Sequence, residues 1–158
     1  MLTLFKALVR SRLEFCCEVW NPYLKKDIVL LEGIQRWSTY KIAGFKELNY
    51  WQRLRELGLL SLQRRREKII LVHVWKIKNG FYPNSVDLKF KYHPRTAAFQ
   101  IVPRPLPKVN GKLLTLFENS FIINASKLWN VLPPALTRID CLSNFVSELK
   151  KFLCKIPD

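Results

Sequence analysis

Residues 61–80, SLQRRREKIILVHVWKIKNG, decide the fold class. The stretch predicts a long helix that starts at Ser61, runs to about Lys78 and is closed by Asn79 and Gly80. At 100° per residue, Arg65, Lys68 and Lys76 project within about 80° of one another, with Val72 among them. Ile69, Ile70, Val74 and Ile77 point more nearly the other way. The apolar run 69–75 is far short of the roughly 20 residues that a bilayer span needs.

Upstream of that helix the pattern stays helical. Residues 2–20 predict one helix whose stripe is Leu4, Phe5, Leu8, Phe15, Cys16 and Val19, ended by Asn21 and Pro22. Arg12 lies inside the stripe, as an edge salt bridge or an inward cation. Residues 26–43 predict a second helix with Leu30, Leu31, Ile34, Trp37 and Ile42 on its apolar face. Gly33 would permit close packing there, and Gly44 would cap the end. Asn49 and Gln52 have capping-box spacing and open a short helix over 50–57 that Gly58 ends. Between Arg53 and Lys78 stand eight Lys or Arg (53, 55, 64, 65, 66, 68, 76, 78) against Glu56 and Glu67.

Downstream the character changes. Five prolines over 81–111 exclude a long helix and predict a basic connector with possible strands at 98–102 and 113–117. Helices are predicted again over 118–128, with Phe121, Ile122, Ala125 and Leu128, and over 143–154, with Phe145, Val146, Leu149 and Phe152. Residues 129–134, WNVLPP, separate them. The expected architecture is therefore mainly α. A helical region spans 1–80, a proline-rich basic connector 81–116 and a small helical unit 117–158.

Composition sets the function classes. The 158 residues are 49% hydrophobic, enough for a core, and carry 27 Lys and Arg against 12 Asp and Glu, a net charge of +15. That excess predicts attraction to polyanions, chiefly nucleic acid or an anionic membrane surface. The first residues lack the basic leader, apolar block and small-residue cleavage site of a secretory signal, so an intracellular location in nucleus or cytoplasm is expected. No glycine-rich phosphate loop can be written. Cys16, Cys17, Cys141 and Cys154 have no zinc-ligand spacing and read as reduced buried thiols. His73 reads as a core histidine. Asp27, Asp87, Asp140 and Asp158 stand apart, and no motif suggests a two-metal site or a Cys–His nucleophile, so neither catalysis nor a cofactor is expected. The five tryptophans read as core rather than as base-stacking platforms, with Trp20, Trp37 and Trp75 on or beside apolar helical faces.

The ordered motifs carry a resemblance. They begin with 9–15, VRSRLEF, then Val19-Trp20-Asn21-Pro22, then 31–36, LEGIQR, and Ile42-Ala43-Gly44. Tyr50, Arg53-Leu54, Leu57-Gly58-Leu59 and 62–66, LQRRR, come next, then 76–80, KIKNG. Far downstream come 128–133, LWNVLP, Ser143-Asn144-Phe145 and Leu149-Lys150. In this order and spacing the chain resembles the C-terminal tail of reverse transcriptases from jockey-like LINE elements, which are non-LTR retrotransposons. The resemblance spans about Leu4 to Phe152. It departs from the family pattern at 93–98, HPRTAA, and at 117–124.

The resemblance implies a thumb-like helical bundle together with the post-thumb region C-terminal to it. Fingers, palm and the catalytic Asp-Asp turn are not in this sequence, so the chain alone is expected to be no enzyme. Met1 is expected to mark a truncated copy or an internal start. The implied role is to hold a template–primer duplex, whether RNA, DNA or hybrid. Arg53, Arg64, Arg65, Arg66, Lys68, Lys76 and Lys78 are the candidate contacts to its backbone. A non-functional relic, a domesticated protein-interaction module and peripheral membrane binding by the 69–75 helix are the alternatives.

Overall fold

The computed structural model describes residues 1–82, 88–108 and 110–155, and the protein is mainly helical. The chain forms two compact units: Met1–Glu67 with the residues from Leu153 on, and Lys68–Phe152. The division falls inside the long basic helix, whereas the segmentation read from sequence turned at Gly80, where proline content rises.

In the first unit the expected single N-terminal helix is interrupted. It comprises α1 (Leu2–Leu4), a π-helical turn (Phe5–Arg10), α2 (Ser11–Glu14) and α3 (Cys17–Trp20). Phe15 is extended and Cys16 takes a left-handed conformation, with φ 49°. The Trp20 indole donates 2.6 Å to the Phe15 carbonyl across this break. The π turn and the break each shift the register that a uniform helix assumes. Hence Phe5 and Cys17 are buried, while Leu4, Leu8, Phe15 and Val19 of the expected stripe face solvent. Arg12 is exposed as well.

Helix α4 (Lys25–Tyr40) is inverted relative to expectation. Glu32, Gln35, Ser38 and Thr39 are its buried residues, whereas Leu30, Ile34 and Trp37 are exposed. A Cβ on Gly33 would meet open space, so that glycine permits no close packing. The helix stops at Tyr40, three residues before Ala43, and Gly44 lies in the turn beyond it with φ +82°.

Helix α5 (Tyr50–Glu56) opens with the expected capping box. The Asn49 side chain accepts from the Gln52 N–H at 2.9 Å, and the Gln52 side chain accepts from the Asn49 N–H at 2.8 Å. Asn49→Ala is expected to cost about 1 kcal/mol, read by urea unfolding. No change would mean that water satisfies those amides equally well.

Gly58 ends α5 and Gly80 ends α6 (Leu62–Lys78) in the same way. Leu59 N–H donates to Leu54 C=O at 2.8 Å and Gly58 N–H to Arg55 C=O at 3.1 Å. After α6, Phe81 N–H donates to Lys76 C=O and Gly80 N–H to Ile77 C=O. Both are Schellman closures, which require a residue at positive φ, here 61° and 75°.

The second unit contains an antiparallel hairpin, β1 (Phe90–His93) and β2 (Ala98–Ile101), registered Phe90 to Ile101 and His93 to Ala98. The strand expected at 98–102 is β2. The one expected at 113–117 is instead part of α7 (Lys112–Glu118). A short apolar run does not distinguish strand from helix by periodicity. Helices α8 (Phe121–Asn130), α9 (Pro134–Thr137) and α10 (Leu142–Lys155) complete the chain.

This unit's core is aromatic. Trp75 and Phe145 stack with centroids 5.8 Å apart, and Trp129 tilts against Phe145 at 6.0 Å. Ile70, Leu71, Val74 and Trp75 are fully buried, so the apolar side of the 69–75 stretch is spent in the core rather than offered to a membrane. No helix among the described residues is long and apolar enough to cross a membrane. The expected connector over 81–116 lies partly outside the described residues. Its described positions 102–108 form neither helix nor strand.

Candidate nucleic-acid interface

The structure places the predicted phosphate contacts in three different settings. Arg53 and Arg66 are buried, at 5% and 1% exposure. The Arg53 guanidinium donates to Thr39 Oγ1 at 3.3 Å and to the Leu48 carbonyl at 2.5 Å. Arg66 Nε donates 3.1 Å to Asn21 Oδ1, and burial pushes its pKa down against the opposing pull of Glu32. A guanidinium enclosed by the fold cannot lie along a phosphate backbone, so these two positions are corrected to structural roles.

Arg64 and Arg65 form ion pairs. Arg64 holds Glu67 at 2.7 Å, and Arg65 engages Glu14 through both Nε and Nη2, the latter at 2.8 Å. Arg10 reaches the same Glu14 carboxylate at 3.6 Å, and burial and the Arg65 charge lower the Arg10 pKa. The basic row is therefore interleaved with acid in space, although Glu14 is 51 residues away in sequence. In the second unit Lys68 is half-buried, Lys76 sits 5.8 Å over the Tyr82 ring, and Lys78 lies 3.5 Å from Asp140 and 4.6 Å from the Phe99 ring.

Beneath the first unit's surface lies a polar network built from the motif residues. The Glu32 carboxylate accepts from the Leu62 N–H at 3.1 Å, from the Gln63 N–H at 3.4 Å and from the Tyr50 hydroxyl. It thus caps α6 from 30 residues away, where a negative group meets the positive end of the helix dipole. Burial, and next the bond to Glu32, raise the Tyr50 pKa. Gln35 donates to the Leu60 carbonyl at 3.0 Å and to Tyr50 Oη at 3.2 Å. This network explains the inversion of α4. At the start of α6 the Ser61 hydroxyl accepts from the Arg64 N–H at 3.2 Å, and the Leu62 and Gln63 N–H groups are satisfied by the polar stripe of α4.

The opposite face of α4 is what sequence reasoning missed. Val29, Leu30, Ile34, Trp37 and Tyr40 are all exposed, and Lys41 Nζ lies 5.6 Å over the Trp37 ring. Trp20 and Trp51 are also exposed. The expectation that the tryptophans are core holds for Trp75 and Trp129 and fails for Trp20, Trp37 and Trp51. A second stripe at helical spacing, Glu32, Gln35 and Thr39, was the available signal.

The WNVLP motif does similar structural work in the second unit. Asn130 Oδ1 accepts from the Ile101 N–H at 2.8 Å, and Asn130 Nδ2 donates to the Ile101 carbonyl at 3.0 Å. The Trp129 indole donates to the Phe99 carbonyl at 2.8 Å. A cleft of about 250 Å³ beside them is lined by Arg104, Glu118, Ile123 and Lys127, among others.

Among the described residues, no three His, Cys, Asp or Glu side chains gather where they could hold a metal ion. His73 stacks on Tyr82 at 4.9 Å and meets the edge of Phe121, a packed histidine. Of the four cysteines only Cys17 is buried, which corrects the expectation for the other three. Burial pushes the Cys17 thiol up to about 12. Exposed Cys141 is lowered by its contact with Ser143.

A Caenorhabditis elegans protein described as "Uncharacterized protein B0403.1" is 27% identical over 141 residues, which cover 82% of this chain and 71% of that protein. No family model matches the chain. No solved structure matches it.

Proposed function

We propose that this chain is a nucleic-acid-binding helical piece that resembles the thumb and post-thumb region of a jockey-like LINE reverse transcriptase. It holds a template–primer duplex by its backbone and performs no polymerisation itself. In such an enzyme the fingers and palm supply the catalytic carboxylates, and nucleus or cytoplasm is where such a duplex is met.

The observation that carries this reading is the charge balance. The excess of +15 is large, and Glu14, Glu32 and Glu67 are turned to ion pairing or helix capping within the fold. Their charge is thereby drawn onto partners inside the first unit, and the remaining basic side chains set the sign of the surface. The order of the motif residues supports the same reading. Asn21, Glu32, Tyr50 and Asn130 each bridge segments distant in sequence.

Binding is tested with an RNA–DNA primer–template duplex titrated across salt. Lys68→Gln combined with Lys76→Gln is expected to flatten the slope of log K against log salt by about two, roughly one per lost phosphate contact. An unchanged slope would remove both lysines from the interface. Equal binding of duplex and heparin would reduce the proposal to bulk charge.

A further inference from the structure

The first unit leaves a cluster of aromatic rings and cations uncovered. Trp37 is 62% exposed, Tyr40 43% and Trp51 47%. Tyr40 and Trp51 are joined through a buried hub, and Trp37 stands three residues before Tyr40 on α4. Arg53 lies 5.8 Å from the Tyr40 ring and 5.9 Å from the Tyr50 ring, and Tyr50 is 4.8 Å from Trp51. Arg36 and Lys41 are exposed beside them, over Tyr50 and Trp37 respectively. Exposed rings beside exposed cations fit a partner that offers flat faces together with negative charge.

We propose that this surface binds unpaired nucleotides of a single-stranded nucleic acid. Bases stack on Trp37, Tyr40 and Trp51, and phosphates meet Arg36 and Lys41. The inference rests on the nucleic-acid reading above but assigns a different partner form and different residues. Charge complementarity selects this occupant. A second copy of the chain would bring a second +15 and set the same cations against each other. A neutral apolar peptide would bury those cations unpaired. A single strand offers a π-face to each ring and a phosphate to each cation, independent of base sequence. A duplex keeps its bases stacked on one another and cannot use the rings in this way.

The test uses the whole chain and three labelled probes: an oligothymidylate and an oligouridylate of about a dozen nucleotides, and the primer–template duplex. Anisotropy gives affinity, and tryptophan quenching reports stacking. Trp37→Ala is expected to weaken single-strand binding about tenfold and to leave duplex affinity within about twofold. Trp37→Phe should retain most of the binding, and Trp51→Ala should show the same selectivity as Trp37→Ala. Thermal melts check that each variant folds.

Single-strand binding that is unchanged in both alanine variants overturns the inference. So does an equal loss on duplex and single strand. Wild-type chain that binds duplex but no single strand also overturns it, while leaving the duplex reading intact. Failure on all three probes removes both. Loss of self-association in Trp37→Ala with unchanged oligonucleotide binding would instead identify a protein-docking face.

Discussion

Glu32→Ala is expected to destabilise the protein by about 3 kcal/mol, the sum of a lost helix cap and buried donors left without an acceptor. Glu32 is 7% exposed, and its carboxylate receives three donors from two other segments: the Tyr50 hydroxyl and the Leu62 and Gln63 amides. Alanine removes the acceptor and leaves these groups where water enters poorly. At about 2–4 °C per kcal/mol for a chain of this size, the melting temperature should fall by roughly 6–12 °C. Glu32→Gln keeps one carbonyl oxygen for the amides and should cost less than half as much. Circular dichroism during urea unfolding measures both variants. A loss below about 1 kcal/mol for the alanine would mean that water replaces the carboxylate, and the network would not be what fixes α4.

Trp129→Ala is expected to cost about 3–5 kcal/mol, the range for removing a fully buried large aromatic. Trp129 is fully buried, its ring meets Phe90 edge-on at 6.0 Å and Phe145 at the same distance, and its indole N–H holds the Phe99 carbonyl. Trp129→Phe restores most of the ring volume but orphans that carbonyl, so it should cost clearly less. The two losses act on one hairpin, and hydrogen exchange can separate them. Faster exchange of the β1–β2 amides in both variants would show that the indole pins β2. Fast exchange in the alanine variant alone would show that ring packing is sufficient.

Much of the local structure was legible in the chain. The Asn49–Gln52 box and the closures at Gly58 and Gly80 depend on contacts within five residues, and they appear where those residues predicted them. Helix α10 was read from Phe145 and Leu149, both now fully buried. The 113–117 strand failed because Leu, Thr and Phe in a short run satisfy either period.

The candidate site was far less legible. A row of arginines at 64–66 looks uniform in sequence, yet three neighbours meet three fates: paired with Glu67, paired with Glu14, and buried against Asn21. Two of those three partners lie more than 40 residues upstream, beyond the reach of any helical wheel.

The chain by itself determined that the protein is mainly helical, where α5, α6 and α10 start and stop to within a residue, and that it carries a net charge of +15. These properties are local or additive: caps, glycines at positive φ, turn prolines and the sum of ionised groups. Only the tertiary structure decided which side of α4 faces inward, which arginines remain at the surface and which tryptophans stay in water. Apolar periodicity would have buried Leu30, Ile34 and Trp37, but the buried start of α6 needed an acceptor more than the core needed those side chains. An unpaired buried amide costs free energy comparable to burying a large apolar side chain. A carboxylate that satisfies two amides and a hydroxyl at once therefore sets the rotation of the helix.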